Sequence, residues 1–368
     1  MRILFVTSRY YPHVGGVEYV VKSVAERLVR RGYNVSVLCG ESGLDTSKEE
    51  WVNGVRVVRW PVLAPGGAYH IPRMRSRLKK MLLDSAKDYD VIHFHSVHGV
   101  LAMYSLRVLR NSRVRKVLTP YYHGTGHTLL RRVLWRGWRT YVRGLLRFVD
   151  VVHTVSRLEA QLVKRDFKVD AIPIENGVDE WILNIQWSPS GYVMYSGRIE
   201  KYKNIHRLAN IVKILNEDYG LDLKLKVYGS GPYIKSLSRR LEKIGIEYSV
   251  NPPQPFEKYI ESLSKASLFG LLSEKESYPQ SVNEANAIGV PTVIVEPWGL
   301  NFSDRSRTLI TKLSKSDEEM AKEIAAFLEE AREQPKPKVP SWSQVVDLYI
   351  SILYGRVYLK ELLKRVID

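Results

Sequence analysis

Apolar positions along the chain alternate between two rhythms. Short unbroken runs read as strands buried on both faces: "RILFVTS" (2–8), "YNVSVLCG" (33–40), "NGVRVVRWP" (53–61), "DYDVIHFHS" (88–96), "RKVLTPYYHG" (115–124) and "VDVVHTVS" (149–156). Between them lie segments with apolar residues every three or four positions. "GVEYVVKSVAERLVRRG" carries Val20, Val21, Val24 and Leu28 on one helical stripe and stops at Gly32, and further helices are predicted around 74–87, 99–110 and 129–147. Strands alternating with helices imply a parallel sheet with right-handed crossovers. After the polar loop "NGVDEWILNIQWSPSG" the pattern restarts, with the strand "YVMYSGR", the helix "NIHRLANIVKILNEDYG", the strand "LKLKVYGSGP", a helix to Gly245 and the strand "ASLFGLLSE". The Pro/Lys segment "EQPKPKVP" (333–340) ends the last helix of this series. The reading is α/β, with two Rossmann-like doubly wound domains: 1–183 joined by 342–368, and 184–341. The final stretch from "SWSQVVDLYISILYG" onward must dock outside the second series.

A length of 368 residues suits two cores, and 45% hydrophobic with 26% charged residues is a globular composition. The single cysteine, Cys39, excludes an internal disulfide framework. The apolar run Ile3 to Val6 is too short for a signal peptide, and no stretch reaches the ~20 apolar residues a membrane span needs. A cytoplasmic protein is expected, free or peripheral at the cytosolic membrane face. Charge changes the picture more. Of the net +17, residues 1–185 hold 30 Lys and Arg against 16 Asp and Glu, whereas the remainder holds 26 against 23. The first half therefore seeks an acidic partner, whether nucleic acid, anionic lipid or a phosphorylated substrate, or else carries a solvated basic surface.

Three short segments could hold chemistry. In "EKESYPQSVNEANAIGVP" (274–291), Pro279 interrupts any continuous helix from Glu276 to Glu284. A loop carrying Glu276 then precedes a helix starting near Gln280, with Glu284 in its early turns. The amides of Gln280, Ser281 and Val282 would point out of that helix start, as a phosphate site does, while the carboxylates suit sugar or ribose hydroxyls. A capped surface helix explains the same residues. "YSGRIEKYKN" sets Arg198 and Lys203 after a strand, where two cations suit a diphosphate facing an interdomain cleft, although surface charges also read this way. In "YYPHVGGVEYVV", Gly15 and Gly16 open a helix and permit close approach of backbone to phosphate. The spacing is not GxGxxG, which weighs against a nicotinamide dinucleotide.

The ordered set "GGVE", "NGVRVVRWP", "DVIHFHS", "TPYYHG", "VVHTVSRLEAQLV", "IENGVD", "SGRIEKYKN", "VYGSGP" and "SEKESYPQSVNEANAIGVPTVI" resembles the retaining, nucleotide-sugar-dependent glycosyltransferases of GT-B fold in family four, nearly end to end. The resemblance implies two domains facing a cleft, the second binding the donor, with a C-terminal helix crossing back to the first. It places Glu276 and Glu284 on the family's E-x7-E motif. It implies that Arg198 and Lys203 hold the donor diphosphate, with amides near Gly16 and Gln280–Val282. Glu284 would accept from the ribose hydroxyls, Glu276 would contact the transferred sugar, and His123 in "YYHGTG" would lie near the reaction centre. Absent the resemblance, His123 reads as a structural histidine at a strand end. The sequence departs from the family at Ser277, usually glycine, and at "PWGLNFSD" (297–304), usually a glycine-rich turn. His93, His95 and His98 in "VIHFHSVHG" invite a metal, but the family has an H-x-H here without one and no carboxylate or cysteine adjoins it. No cofactor or metal is expected; a UDP- or GDP-sugar would be a substrate.

The basic half has a focus. "LLRRVLWRGWRTYVRGLLRFV" (129–149) sets Arg136, Arg139, Arg143 and Arg147 along one stripe, opposite Leu130, Val133, Leu134, Trp138, Tyr141, Val142 and Leu145. This fits an interfacial helix on anionic lipid, and equally a helix packed on its own sheet with a solvated basic face. Residues 73–147 hold 17 Lys and Arg against 3 Asp and Glu, which favours a phosphorylated or lipid-linked glycan acceptor over a neutral polysaccharide. The expected activity is hexosyl transfer to an acceptor hydroxyl, without nucleic acid as a partner. Two alternatives share part of the pattern: a GT-B-type nucleotide-sugar epimerase, and a basic nucleic-acid-binding protein with no catalysis.

Overall fold

The computed structural model describes residues 1–13, 15–67, 69–124 and 129–355, with backbone alone for 129–133. The chain forms two compact units, one of Met1–Asn176 with the segment that begins at Trp342, the other of Gly177–Ser341. The second unit thus starts at Gly177 rather than at 184. Val178 bridges Ser341, and Lys336 Nζ donates to the carbonyls of Leu183 and Ile185, so the connecting loop is fastened to the later unit.

The first unit is built on β1 (Arg2–Thr7), α1 (Gly16–Arg30), β2 (Asn34–Glu41), β3 (Lys48–Val52), β4 (Val55–Leu63), β5 (Ile71–Pro72), α2 (Arg75–Ser85), β6 (Val91–His95), α3 (Val100–Leu109), β7 (Arg115–Thr119), α4 (Leu129–Leu146), β8 (Val151–Thr154), α5 (Arg157–Phe167) and β9 (Ile172–Pro173). Its strand order is β3-β4-β2-β1-β6-β7-β8-β9, parallel except where β3 and β5 run against β4. β1 is central: Ile3 pairs with Val35 on one side and Val91 on the other, and Ile3 to Thr7 are all buried. A strand covered on both faces needs an unbroken apolar run, which is why it was legible. α1 turns Val20, Val21, Val24 and Leu28 inward, and the chain leaves it through Gly32 at φ +80°.

The second unit comprises β10 (Tyr192–Ser196), α6 (Ile205–Tyr219), β11 (Lys224–Tyr228), α7 (Ile234–Ile244), β12 (Tyr248–Asn251), α8 (Phe256–Ser264), β13 (Leu268–Leu271), α9 (Gln280–Ile288), β14 (Thr292–Val295), β15 (Thr308–Thr311) and α10 (Asp317–Ala331). Its sheet runs β12-β11-β10-β13-β14-β15, all parallel. In each sheet the winding reverses once, between β1 and β6 and between β10 and β13. Open parallel sheets bind ligands beyond the carboxyl ends of the strands at that reversal.

α11 (Trp342–Leu348) and the π-helical turn Tyr349–Tyr354 belong to the first unit. Trp342 Nε1 donates to Tyr19 Oη (3.4 Å), and Arg31 pairs with Asp347 at 2.8 Å. The rest of the C-terminal helix expected from the sequence, 356–368, lies outside the described residues.

Candidate active site

At the reversal of the second sheet, the loops that follow β10 and β13 meet. Tyr195 Oη donates to the Arg198 carbonyl (2.7 Å), Asn204 Nδ2 to the Leu272 carbonyl (3.0 Å), and the Glu274 amide to the Tyr202 carbonyl (3.1 Å). The "GSG" after β11 completes the packing. A Cβ on Gly229 would lie 1.9 Å from the Gly197 oxygen, and one on Gly231 2.2 Å from that of Ile199. Only glycine lets these backbones close together.

This arrangement brings Lys203 to Glu276, whose Oε1 takes a short hydrogen bond from Nζ; the two side chains are 11% and 16% exposed. Arg198 is placed differently. Its side chain is exposed and paired with Glu200 at 2.6 Å, so the two predicted cations share a loop but not a partner. α9 begins at Gln280 behind Pro279, as the proline requires. Of the three amides expected to be free there, that of Val282 is not: it donates to the Pro279 carbonyl (3.1 Å), because the first turn closes tightly. Gln280 Nε2 ties the helix start to the Gly177 carbonyl (2.7 Å), and Ser281 is half-buried.

Glu284 lies a turn into α9, 5% exposed, with Tyr259 Oη donating to Oε2 at 2.9 Å. Burial pushes its carboxyl up to about 8, against which the Tyr259 hydrogen bond works weakly, and Asp179 adds to the rise. At neutral pH Glu284 therefore carries a proton, whereas Glu276 sits against a lysine. A carboxyl in its acid form can donate as well as accept, which modifies the purely accepting role expected from the sequence.

In the first unit Gly15 is extended and Gly16 opens α1, with nothing within 4 Å of a Cβ built on Gly16. His123 follows β7 and stacks on His98, ring centroids 4.9 Å apart and 18° from parallel. The backbone before it is constrained: Tyr121 has φ +50°. The buried Glu159, in the first turn of α5, accepts from the Tyr122 amide (2.6 Å) and the Val155 amide (3.0 Å). Burial lifts that carboxyl to about 7, partly countered by the amides.

His93 and His95 do share a strand, but their partners are hydroxyls. His93 contacts Tyr354 Oη (2.9 Å) and Thr119 Oγ1 (2.8 Å), Thr119 reaches His153 Nδ1 (2.8 Å), and His95 faces Tyr121 Oη (3.3 Å). Burial holds all three histidines neutral, with His95 lowered to about 3 and His153 to about 4. Among the described residues no group of three or more His, Cys, Asp and Glu is arranged to hold a metal ion.

α4 gives its apolar stripe to the core. Val142, Leu145 and Leu146 are buried, Trp135, Trp138 and Tyr141 pack against that core, and Trp138 Nε1 donates to the Val97 carbonyl (2.7 Å). The side chains of Leu130 and Val133 lie outside the described residues, and Leu134, read as part of the stripe, is 61% exposed. An interfacial helix needs its apolar face free, so that reading does not hold for α4. Arg136, Arg143 and Arg147 are exposed, Arg147 just past the helix end, while Arg139 turns to Asp166 at 3.7 Å. No helix among the described residues is long and apolar enough to cross a membrane.

Two parallel-sheet units with this winding have the GT-B architecture, and comparison with known proteins agrees. The model of Glycosyltransferase Family 4 matches residues 14–181, and that of Glycosyl transferases group 1 matches residues 185–339. An uncharacterized glycosyltransferase of Haemophilus influenzae is 26% identical over 287 residues, 76% of each chain. The N-acetyl-alpha-D-glucosaminyl L-malate synthase of Bacillus anthracis is 24% identical over 319 residues, 79% of this chain and 78% of that one. Sucrose-phosphate synthase from Thermosynechococcus elongatus shares the fold with a TM-score of 0.70 at 16% identity, covering 100% of this chain and 99% of that one. The chain belongs to the GT-B glycosyltransferases of family four type. It is a hexosyltransferase that uses a nucleotide-sugar donor, which sets aside the non-catalytic nucleic-acid-binding alternative.

Of the residues at this site, sequence reading missed Tyr259, Asn204 and Glu159. Tyr259 and Asn204 have no local signal. Glu159 had one, a serine N-cap three residues before an acid in "SRLE", but that pattern announces a helix start, not a buried clamp.

Proposed function

We propose that the chain is a retaining, metal-independent hexosyltransferase whose Gly177–Ser341 unit binds the donor and whose basic unit binds an anionic acceptor. The observation that carries the donor half is the nearly buried Lys203–Glu276 pair at the strand reversal, next to the α9 start and with Glu284 further along the helix. Donor binding exchanges that pair: Lys203 turns to the diphosphate, joined by Arg198 and the amides of Gln280 and Ser281, and Glu276 takes a hydroxyl of the transferred sugar. Glu284 takes the ribose hydroxyls. Arg198 and Lys203 supply the positive charge that the departing diphosphate requires. The acceptor oxygen bonds to the anomeric carbon on the face from which the diphosphate leaves, and its proton passes to the leaving phosphate oxygen. His123 orients groups near that centre, and the Gly15–Gly16 turn admits phosphate close to backbone.

The charge of residues 73–147 supports a lipid-linked or phosphorylated acceptor, and the L-malate in one relative's name is likewise an acid. Because the α4 apolar face is buried, attraction to an anionic membrane on the cytosolic side would be electrostatic, through Arg136, Arg143 and Arg147.

A thermal-shift panel of UDP-, GDP- and ADP-sugars on wild type and Arg198→Ala tests the donor half. Stabilisation by one nucleotide family, largely lost in the variant, is expected. No shift with any of them on folded protein sinks it. Incubating the stabilising donor without acceptor separates transfer from epimerisation, which alone would release an epimerised nucleotide sugar. Anomeric analysis of the product tests retention, and activity after chelation tests metal independence.

A further inference from the structure

The first sheet reverses between β1 and β6, and the residue that stands out there is Arg9, two positions past the end of β1. Its Nε donates to His70 Nε2 (2.8 Å) and its Nη2 to the Gly67 carbonyl (2.7 Å). Arginine only donates, so His70 must accept at Nε2 and carry its hydrogen on Nδ1. His70 is 7% exposed, and burial with the Arg9 charge lowers it to about 4, so the ring stays neutral. Both fixed partners of Arg9 are thus uncharged, and among the described residues no carboxylate lies within ion-pair distance of it.

Holding Arg9 this way is costly in backbone terms. Within the loop that supplies both partners, Gly66, Gly67, Tyr69 and His70 have positive φ, at 58°, 72°, 69° and 47°. Two of them are not glycine, and such conformations persist only where surrounding structure imposes them. The Val100 amide at the start of α3 donates to the Tyr69 carbonyl (3.0 Å), which locks the loop to the other side of the reversal. Arg59, in the middle of β4, gives the contrast: it is buried and neutralised by Glu41 and Glu50, as a structural arginine should be. Arg9 is half-buried and aimed with its charge uncompensated at contact distance, while Glu18 and His70 are the titratable groups that feel it.

We propose that Arg9, pre-oriented by His70 and the Gly67 carbonyl, is the anchor for the anionic group of the acceptor, a carboxylate or a phosphate, which pairs with the guanidinium edge left free. This rests on the reading that the first unit binds an anionic acceptor, and it names the residue and the chemistry that do so. A guanidinium whose Nε and Nη2 are already engaged presents Nη1 in a fixed direction, which a lysine cannot imitate.

The test uses the full chain and two probe anions, L-malate and inorganic phosphate, titrated at constant ionic strength against chloride, with thermal shift as the readout. Wild type, Arg9→Ala, Arg9→Lys and the surface control Arg239→Ala are compared, each first shown to be folded by circular dichroism and then titrated with the nucleotide sugars as well. The expected result is stabilisation of wild type and Arg239→Ala by at least one probe, with the half-saturating concentration raised at least about tenfold in Arg9→Ala and several-fold in Arg9→Lys. Malate alone stabilising points to a carboxylate acceptor, phosphate alone to a phosphorylated one. Unchanged anion binding in both Arg9 variants overturns the proposal, as does a wild type that responds to a nucleotide sugar but to neither anion. An Arg9-dependent anion shift without any nucleotide-sugar shift leaves this inference standing and sinks the donor reading instead.

Discussion

Replacing Glu284 by glutamine should make the protein's stability less sensitive to alkali, by an amount the structure sets. The carboxyl is buried and raised from 4.5 to about 8, chiefly by loss of water. The folded state therefore holds its proton longer than the unfolded chain does. Stability from this group is greatest below pH 4.5, falls as pH rises through the interval up to about 8, and is level beyond it. Each pH unit in that interval removes about 1.4 kcal/mol, so some 4 kcal/mol is lost between about pH 5 and pH 9. Glu284→Gln keeps the acceptor oxygen for Tyr259 and cannot ionise. Guanidinium denaturation of both proteins from pH 5 to 9 should show the variant gaining on wild type with each step up to pH 8 and then holding a constant lead. A difference that stays flat from pH 5 to 8 would refute the reasoning, since it would mean that Glu284 is ionised in the fold throughout. The same variant should keep most of its nucleotide-sugar affinity at neutral pH, because a carboxamide, like the acid form of Glu284, offers ribose hydroxyls one carbonyl acceptor and a donor.

Lys203→Ala should destabilise by about 3–5 kcal/mol in chemical denaturation by stranding Glu276, and Lys203→Met with Glu276→Gln should recover most of that while still failing to bind donor. Gly231→Ala should lower the melting temperature by several degrees, since its Cβ would fall 2.2 Å from the Ile199 oxygen. Gly16→Ala meets nothing within 4 Å and should leave melting unchanged, so a fall in kcat/KM there would report ligand against the backbone. Acid should unfold the first unit. His95 and His153 are lowered to about 3 and 4, so the unfolded chain gains protons first, and stability falls below about pH 6.5 by about 1.4 kcal/mol per unit for each histidine. His153→Gln should flatten that slope in acid denaturation followed by circular dichroism.

Most of the fold was legible because a parallel strand covered on both faces writes itself as an unbroken apolar run. β1 and β6 are buried from end to end or nearly so, and their neighbours follow suit. β3 was missed for the opposite reason: "KEEWV" is an edge strand, mostly exposed and charged, recognisable only through its pairing with β4. The apolar stripe of α4 illustrates a different limit. Periodicity fixes that a helix has two faces, and it is silent on whether the apolar one meets a sheet or a lipid. Trp138 reaching the Val97 carbonyl decides it, through a contact between residues 41 positions apart.

The candidate site shows the same division more sharply in its two glutamates. Eight residues apart in sequence and chemically identical, they end in opposite electrostatic surroundings. Glu276 lies on a loop that a lysine 73 positions away can reach, so its charge is matched on the spot. Glu284 lies inside a helix packed on α8, where the nearest polar partner is a tyrosine hydroxyl and water is excluded. Pro279 could be read as separating loop from helix, and that separation sends the two carboxyls to different neighbours. Their partners are Lys203 and Tyr259, which only the folded sheet brings near. If both bind one donor, they do so as unlike groups: Glu276 as an anion released from its lysine, Glu284 as an acid whose proton is available to the ligand. Donor binding that requires Glu284 ionised would release a proton and strengthen as pH rises towards 8, whereas binding to the acid form would stay nearly level up to about pH 7 and weaken above about 8. Calorimetry in buffers of different ionisation enthalpy separates the two, and the acid form is the one that burial of the carboxyl favours, against the Tyr259 hydrogen bond.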